Sequence, residues 1–258
     1  MAIESMNSIP LFGGLWSGQI LSEPAKGKNQ DAWAIGKNSA VVVDGATPLD
    51  SSWPQDVGEF AKRISQVITE YADQMELPTS DVWRNSILRL RNEFSPSDYL
   101  RSAGVILLRK RDEKLEVSSL GDLYVAINCH NEYSLIHDST ISDLDMKAKS
   151  IGGQEILIEN RKLVNSPNGY WIFADDEEAA NHIFINSYRL QNVTELLISS
   201  DGYMRNRAID PKIIFDDIRS SGLIAPRFHE SNSLLDAPDD VTAIYLKNLD
   251  EFGGDEEI

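Results

Sequence analysis

A chain of 258 residues is long enough to bury a full core, and 41% hydrophobic with 8% aromatic content excludes wholesale disorder. The chain carries 41 acidic against 24 basic residues, a formal net charge of -17, which repels phosphate backbones and anionic surfaces; neither nucleic acid nor a membrane is expected as a partner. The single cysteine, Cys129, excludes an intrachain disulfide and a cysteine-based zinc cage. The opening "MAIESMNSIPLFGGLW" lacks a basic start, and no run approaches the ~20 apolar residues that span a bilayer, so a cytoplasmic setting is expected.

In chain order, Leu15 to Leu21, Ala32 to Gly36 and Ala40 to Val43 read as three short strands. Pro54 suits the first turn of a helix in which Val57, Phe60, Ala61, Ile64, Val67, Ile68 and Tyr71 recur at helical spacing. A second helix is predicted after "LPTSD", capped by Thr79 or Ser80 and carrying Val82, Trp83, Ile87, Leu88 and Leu90. "SAGVILLRKR", "KLEVSSL", "LYVAINC" and "EYSLIH" read as four consecutive strands, with a hairpin turn at "RDE". The stretch from Asp138 to Asn192 mixes polar turns with strand-like "EILIE" and "YWIF" and a short acidic helix near "DDEEAANHIF"; it reads as a variable, flap-like subdomain at 138–192. "TELLISS" is a strand, helices follow near Pro211 to Arg219 and Pro226 to Leu235, and "VTAIYL" is the last strand. An acidic tail occupies 250–258. One domain over 1–258 is expected, and two blocks of helices among more numerous strands favour α+β layers.

Carboxylates recur at strand ends. Asp44-Gly45 closes "AVVV", Asp201-Gly202 closes "ELLISS", Gly121-Asp122 separates two strands, Asp239 and Asp240 precede "VTAIYL", and Asp31 precedes "AWAI". Any one Asp-Gly after a strand is ordinary turn chemistry. Together, five acidic positions at strand termini could converge at one end of a sheet stack, where their repulsion calls for a hard divalent cation with oxygen ligands. His130, His137, His182 and His229 show no paired metal-ligand spacing.

Taken in order, "KGKNQDAW", "AVVVDGATPLD", "SAGVILL", "VSSLGDLYVAI", "LLISSDGYM" and "PDDVTAIYL" resemble the successive motifs of the metal-dependent protein phosphatases of the 2C type, over Lys26 to Leu246. The resemblance implies an α-β-β-α sandwich, two central antiparallel sheets face to face with helices on both outer sides. It implies Mn²⁺ or Mg²⁺, two ions with a third in some members, and a phosphorylated protein as substrate. On its terms Asp44 bridges two ions and the Gly45 carbonyl binds one of them. Asp201 and Asp239 complete the first ion's shell; Asp239 is preferred to Asp240 because the motif is written Asp-Asn before the strand. Asp31 serves the second ion and Asp122 the third. Lys26 stands where an arginine grips the substrate phosphate, and a lysine grips as a point charge without the bidentate fork. The implied reaction is hydrolysis of phosphoserine or phosphothreonine by a metal-bridging water, without a phosphoenzyme.

Departures from the motif set are specific. Gln30 stands where many members have glutamate, and Ala46 and Thr47 follow Asp-Gly where some carry a histidine proposed as general acid. "GYWIFADDEEAANH" replaces the usual Gly-Asp and arginine pattern before Asp201. A catalytically weak relative that binds a phosphoprotein or regulates a partner is therefore the alternative. An aspartyl-phosphate phosphatase of the haloacid dehalogenase type is disfavoured, since Val42 stands where its nucleophilic aspartate belongs.

Overall fold

The computed structural model describes residues 9–25, 27–49, 53, 55–94, 101–151, 154–205, 207–226 and 239–249. Lys26, Pro54, most of the helix expected from Pro226 to Leu235 and the 250–258 tail lie outside the described residues. The strands are β1 Ile9–Leu11, β2 Trp16–Glu23, β3 Ala32–Ile35, β4 Ser39–Gly45, β5 Ala103–Arg111, β6 Lys114–Leu120, β7 Tyr124–Cys129, β8 Glu132–Ile136, β9 Phe184–Arg189, β10 Glu195–Ser199 and β11 Val241–Asn248. The helices are α1 Val57–Ala72, α2 Thr79–Glu93, α3 Thr140–Ile151, α4 Gln154–Arg161, α5 Asp201–Met204 and α6 Pro211–Ser221. Among the described residues no helix is long and apolar enough to cross a membrane.

Two antiparallel sheets form, one ordered β1-β2-β11-β10-β7-β8 and the other β3-β4-β5-β6-β9. The period of two along β4 explains how they stack. Ala40 and Val42 pack into the layer between the sheets with Ile106, Leu108, Val125, Ile198 and Ile244. Val41 and Val43 point the other way, against Phe60, Ile64 and Ile68 of α1 and Trp83 and Ile87 of α2. A strand covered on both faces reads as a continuous apolar run, as "AVVV" does. On the far side, Leu197 and Tyr245 meet Phe215 and Ile218 of α6. The order of layers is thus helix, sheet, sheet, helix, the α+β sandwich that the motifs imply.

Polar groups fix the layers in place. Arg109, fully buried on β5, donates to the carbonyls of Ala72, Leu77 and Gln74 at 2.8, 2.7 and 2.7 Å and so ties down the α1–α2 connection. α6 starts on Asp210, whose Oδ1 accepts the Lys212 amide at 2.9 Å, with Pro211 in its first turn. The chain crosses from one sheet to the other at Gly121, φ +92°, where a Cβ would sit 2.8 Å from the Cα of Gly104.

Four local readings change. β1 lies ahead of the first expected strand. "EILIE" belongs to α4, because a short apolar run fits strand and helix alike; here Asn160 donates to the Leu144 carbonyl at 3.0 Å and joins α4 to α3. "YWIF" makes only single bridges, Tyr170 to Val164 and Phe173 to Ala103, while the unexpected β9 pairs along β6. Thr79 does not cap α2; its hydroxyl donates to Glu116, and Pro78 holds the capping position.

Candidate functional site

The strand registers bring the acidic positions to one end of the sandwich. β3 starts and β4 ends there, Ala32 facing Val43, and Asp44 faces Gly104 at the start of β5. In the other sheet Tyr124 faces Ser199, which faces Ala243, so Asp122, Asp201 and Asp239 extend past the same edge. Because neighbouring antiparallel strands alternate starts and finishes at one edge, acids at some strand ends and other strand starts converge.

The charges feel one another strongly. Asp31 is buried, and burial pushes its carboxyl up to about 8; a Ser200 hydrogen bond opposes this, and Asp240, Asp239 and Asp201 add repulsion. Asp44 is raised well above the carboxylate range, first by burial and then by Asp31, Asp201, Asp239 and Asp122. Asp122 is pushed up to about 7 by burial and Asp201, against the opposing charge of Arg161. Asp239 is pushed up to about 6 by burial and Asp201, with Arg205 opposing. Asp44 and Asp122 keep some surface open yet are densely enclosed by neighbouring atoms, so desolvation comes first for both.

Local structure holds these groups. The Asp201 amide, at the N-terminus of α5, donates to Asp44 Oδ2 at 3.4 Å. Asp239 Oδ1 accepts the Asp240 amide at 3.0 Å, and Arg205 Nη1 lies 4.0 Å from Asp239 Oδ2. Asp240 is taken up differently: its carboxylate accepts the Ala25 amide at 2.7 Å and the Gln30 amide at 2.5 Å, clamping the segment that leads into Asp31. Of the two adjacent acids, Asp239 is the one whose charge acts on Asp44, while Asp240 bears on Asp31. Gly202 lets the two chain segments meet, since a Cβ there would lie 2.0 Å from the Asp240 carbonyl oxygen.

The donor set suits a hard cation. It is all oxygen, and Asp31 Oδ2 is buried without a hydrogen-bond partner. Among the described residues, however, no three His, Cys, Asp or Glu side chains are arranged to hold one ion in common. What unites the five acids is register and mutual repulsion, not a shared coordination geometry. Gly45 is buried at the end of β4, paired with Ala103.

Four participants escaped the sequence reading. Arg205 follows Asp201 by four residues, a helical spacing that a charge-pair search would find. Ser200 lies inside "ISSDG" and carried no signal apart from that motif. Arg161, enclosed near Tyr170 and Asp145, and the clamping role of Asp240 depend on long-range packing that no local pattern announces.

No protein-family profile and no curated protein matches the chain. Solved structures do. "PppA, a key regulatory component of T6SS in Pseudomonas aeruginosa" is 17% identical with a TM-score of 0.55, over 94% of this chain and 100% of that one. The serine/threonine phosphatase PstP/Ppp of Mycobacterium tuberculosis is 13% identical with a TM-score of 0.56, over 90% and 98%. Serine/threonine phosphatase Stp1 from Staphylococcus aureus is 15% identical with a TM-score of 0.54, over 89% and 94%. At such identities the likeness establishes the fold, which is the one the motif order implies.

Proposed function

We propose that this protein is a Mn²⁺- or Mg²⁺-dependent phosphomonoester hydrolase acting on phosphoserine or phosphothreonine of cytoplasmic proteins. The observation that carries the reading is the convergence of Asp31, Asp44, Asp122, Asp201 and Asp239 at one end of a phosphatase-type sandwich, four of them with raised pKa values. Asp44 would serve two ions, with Asp201 and Asp239 completing the first and the Gly45 carbonyl on one of the two; Asp31 would serve the second and Asp122 a third. Bound there, divalent cations would offset the carboxylate charge, neutralise phosphoryl oxygens and make water a stronger nucleophile near neutral pH.

The chain's own groups set the stage for that chemistry. The Asp201 amide orients Asp44, Arg205 restrains Asp239, and Asp240 holds the loop that delivers Asp31. Lys26, the residue that follows Ala25 in the sequence, would grip the phosphate as a point charge. No Cys-x5-Arg loop surrounds Cys129 and no Asp-x-Asp pair precedes Gly45, so a single displacement at phosphorus without a phosphoenzyme is expected.

The test is hydrolysis of p-nitrophenyl phosphate and of a phosphoserine peptide, with added Mn²⁺ and with EDTA. Turnover that needs the metal supports the reading; turnover undiminished by EDTA sinks it. A second reading, a phosphoprotein-binding relative with weak turnover, is favoured by Lys26 in the place of an arginine and by the altered segment "GYWIFADDEEAANH". Mn²⁺ binding by calorimetry without turnover would select it.

A further inference from the structure

A groove of about 430 Å³ opens between α6 and residues 222–226, within the size range of ligand sites, roughly 300–1,000 Å³. Ile213 and Ile224 line it and are 46% and 53% exposed, while Ile214 and Ile218 join it to the core beneath. Its shape is braced. Arg207 Nε donates to the Tyr203 carbonyl at 2.8 Å, a second guanidinium nitrogen donates to the Ile224 carbonyl, and the group lies 4.3 Å over the Tyr203 ring. One lining residue, Arg205, also reaches to 4.0 Å from Asp239, so the groove and the acidic cluster share a wall.

We propose that this groove receives the polypeptide flanking the phosphorylated residue, taking an apolar side chain against Ile213, Ile218 and Ile224. The proposal rests on the acidic cluster being the phosphate-handling centre. Two features name the occupant. The groove is continuous with the cluster through Arg205, so a chain whose phosphate reaches Asp239 has its neighbouring residues beside the groove. The charge balance points the same way. A protein of net charge -17 repels a phosphorylated segment over most of its surface, whereas the lining here sets Arg205 and Arg207 against the single acid Asp217, and the isoleucines supply affinity without charge. A free phosphate or a small phosphate ester would use Arg205 and leave the isoleucines idle.

The experiment measures fluorescence anisotropy of two labelled peptides on the full chain with Mn²⁺. Each carries a non-hydrolysable phosphonate in place of phosphoserine, flanked by leucines in one and by glycines in the other. The leucine peptide is expected to bind about ten- to hundredfold more tightly, the effect of burying one large apolar side chain. Ile213→Asp and Ile224→Asp, both at exposed positions, should remove that preference while leaving p-nitrophenyl phosphate hydrolysis unchanged. Equal affinity for the two peptides, or a leucine preference that survives both substitutions, overturns the proposal. Failure of the phosphatase reading shows separately: p-nitrophenyl phosphate stays intact with Mn²⁺, while a leucine preference abolished by the groove variants still assigns the groove to a phosphopeptide.

Discussion

The two ends of β10 treat carboxylates in opposite ways. At its start, Glu195 is spoken for on both oxygens: Oε2 accepts from Asn128 at 2.8 Å and Arg219 at 2.5 Å, and Oε1 accepts from the Tyr245 hydroxyl at 2.5 Å. Past its finish, Asp201 enters a group of acids whose nearest charges are mostly one another and in which Asp31 keeps an orphaned oxygen. Both arrangements are built on the same strand by the same ladders, so packing does not account for the difference. A carboxylate serving the fold is given its donors by the fold; a group of carboxylates left to repel would be relieved by charge from outside, as the proposed function requires.

The sharpest way to break this contrast is to neutralise one acid at each end. Asp44→Asn should lower Mn²⁺-dependent phosphatase activity by about a hundredfold or more, because a shared ligand is lost. The same change should raise the melting temperature of the metal-free protein, since it removes a carboxyl whose ionisation the fold disfavours but the unfolded chain allows. Glu195→Gln should do the reverse, sparing activity and Mn²⁺ affinity. If the two substitutions shift stability in the same direction, the division of roles fails.

The pH dependence has a sign that follows from the raised values. Asp239, Asp122 and Asp31, pushed up to about 6, 7 and 8, hold protons in the folded protein that the unfolded chain releases near pH 4. Between those limits the native state binds more protons, so stability falls as pH rises and levels off above the folded values. In EDTA the melting temperature should drop by roughly 5–10 °C from pH 5 to pH 8.5, and Mn²⁺ should flatten the slope. Glu93 has the opposite shift, to about 2, caused by hydrogen bonds from Arg63 and then Arg89; it acts only at acid pH and leaves that window clear. A melting temperature that rises across the window in EDTA would contradict the repulsion.

Smaller effects refine the comparison. Glu195→Gln should cost about 2–3 kcal/mol in urea unfolding, because an amide NH₂ would confront the donors of Asn128, Arg219 or Tyr245. Asp240→Asn should cost about 1 kcal/mol, since one of the two carboxylate oxygens that accept the Ala25 and Gln30 amides becomes an NH₂ donor. It should also weaken Mn²⁺ binding a few-fold through Asp31, whereas Glu195→Gln should not. Equal Mn²⁺ affinity in wild type and Asp240→Asn would leave the clamp a purely structural one.

Much of this was legible in the sequence because strands and their end residues obey short-range rules. "AVVVDG" shows a two-sided strand and its terminal acid in six letters, and α1 shows its buried face at helical spacing. What stayed hidden depends on distant partners. The Ile-Leu-Ile of α4 suits either secondary structure until α3 is beside it, and the mixed "FINSYR" of β9 becomes a strand by pairing with β6. Asp239 and Asp240 are chemically identical neighbours; the motif order prefers the first, but the Ala25 and Gln30 amides that claim the second come from a distant segment.

The contact between Gly104 and Gly121 bears on how such a site can drift over evolutionary time. Gly104 lies opposite Asp44, and Gly121 immediately precedes Asp122. A single methyl group at Gly121 would meet the Gly104 backbone at 2.8 Å, so one of the two segments that hold Asp44 and Asp122 would have to shift. The spacing of the charges is thus gauged by two residues with no reactive atoms. Substitutions that keep every aspartate can still disable the centre by adding volume where none is tolerated. An inventory of acidic residues would score such a descendant as intact, and a caliper across these two backbones would find it broken.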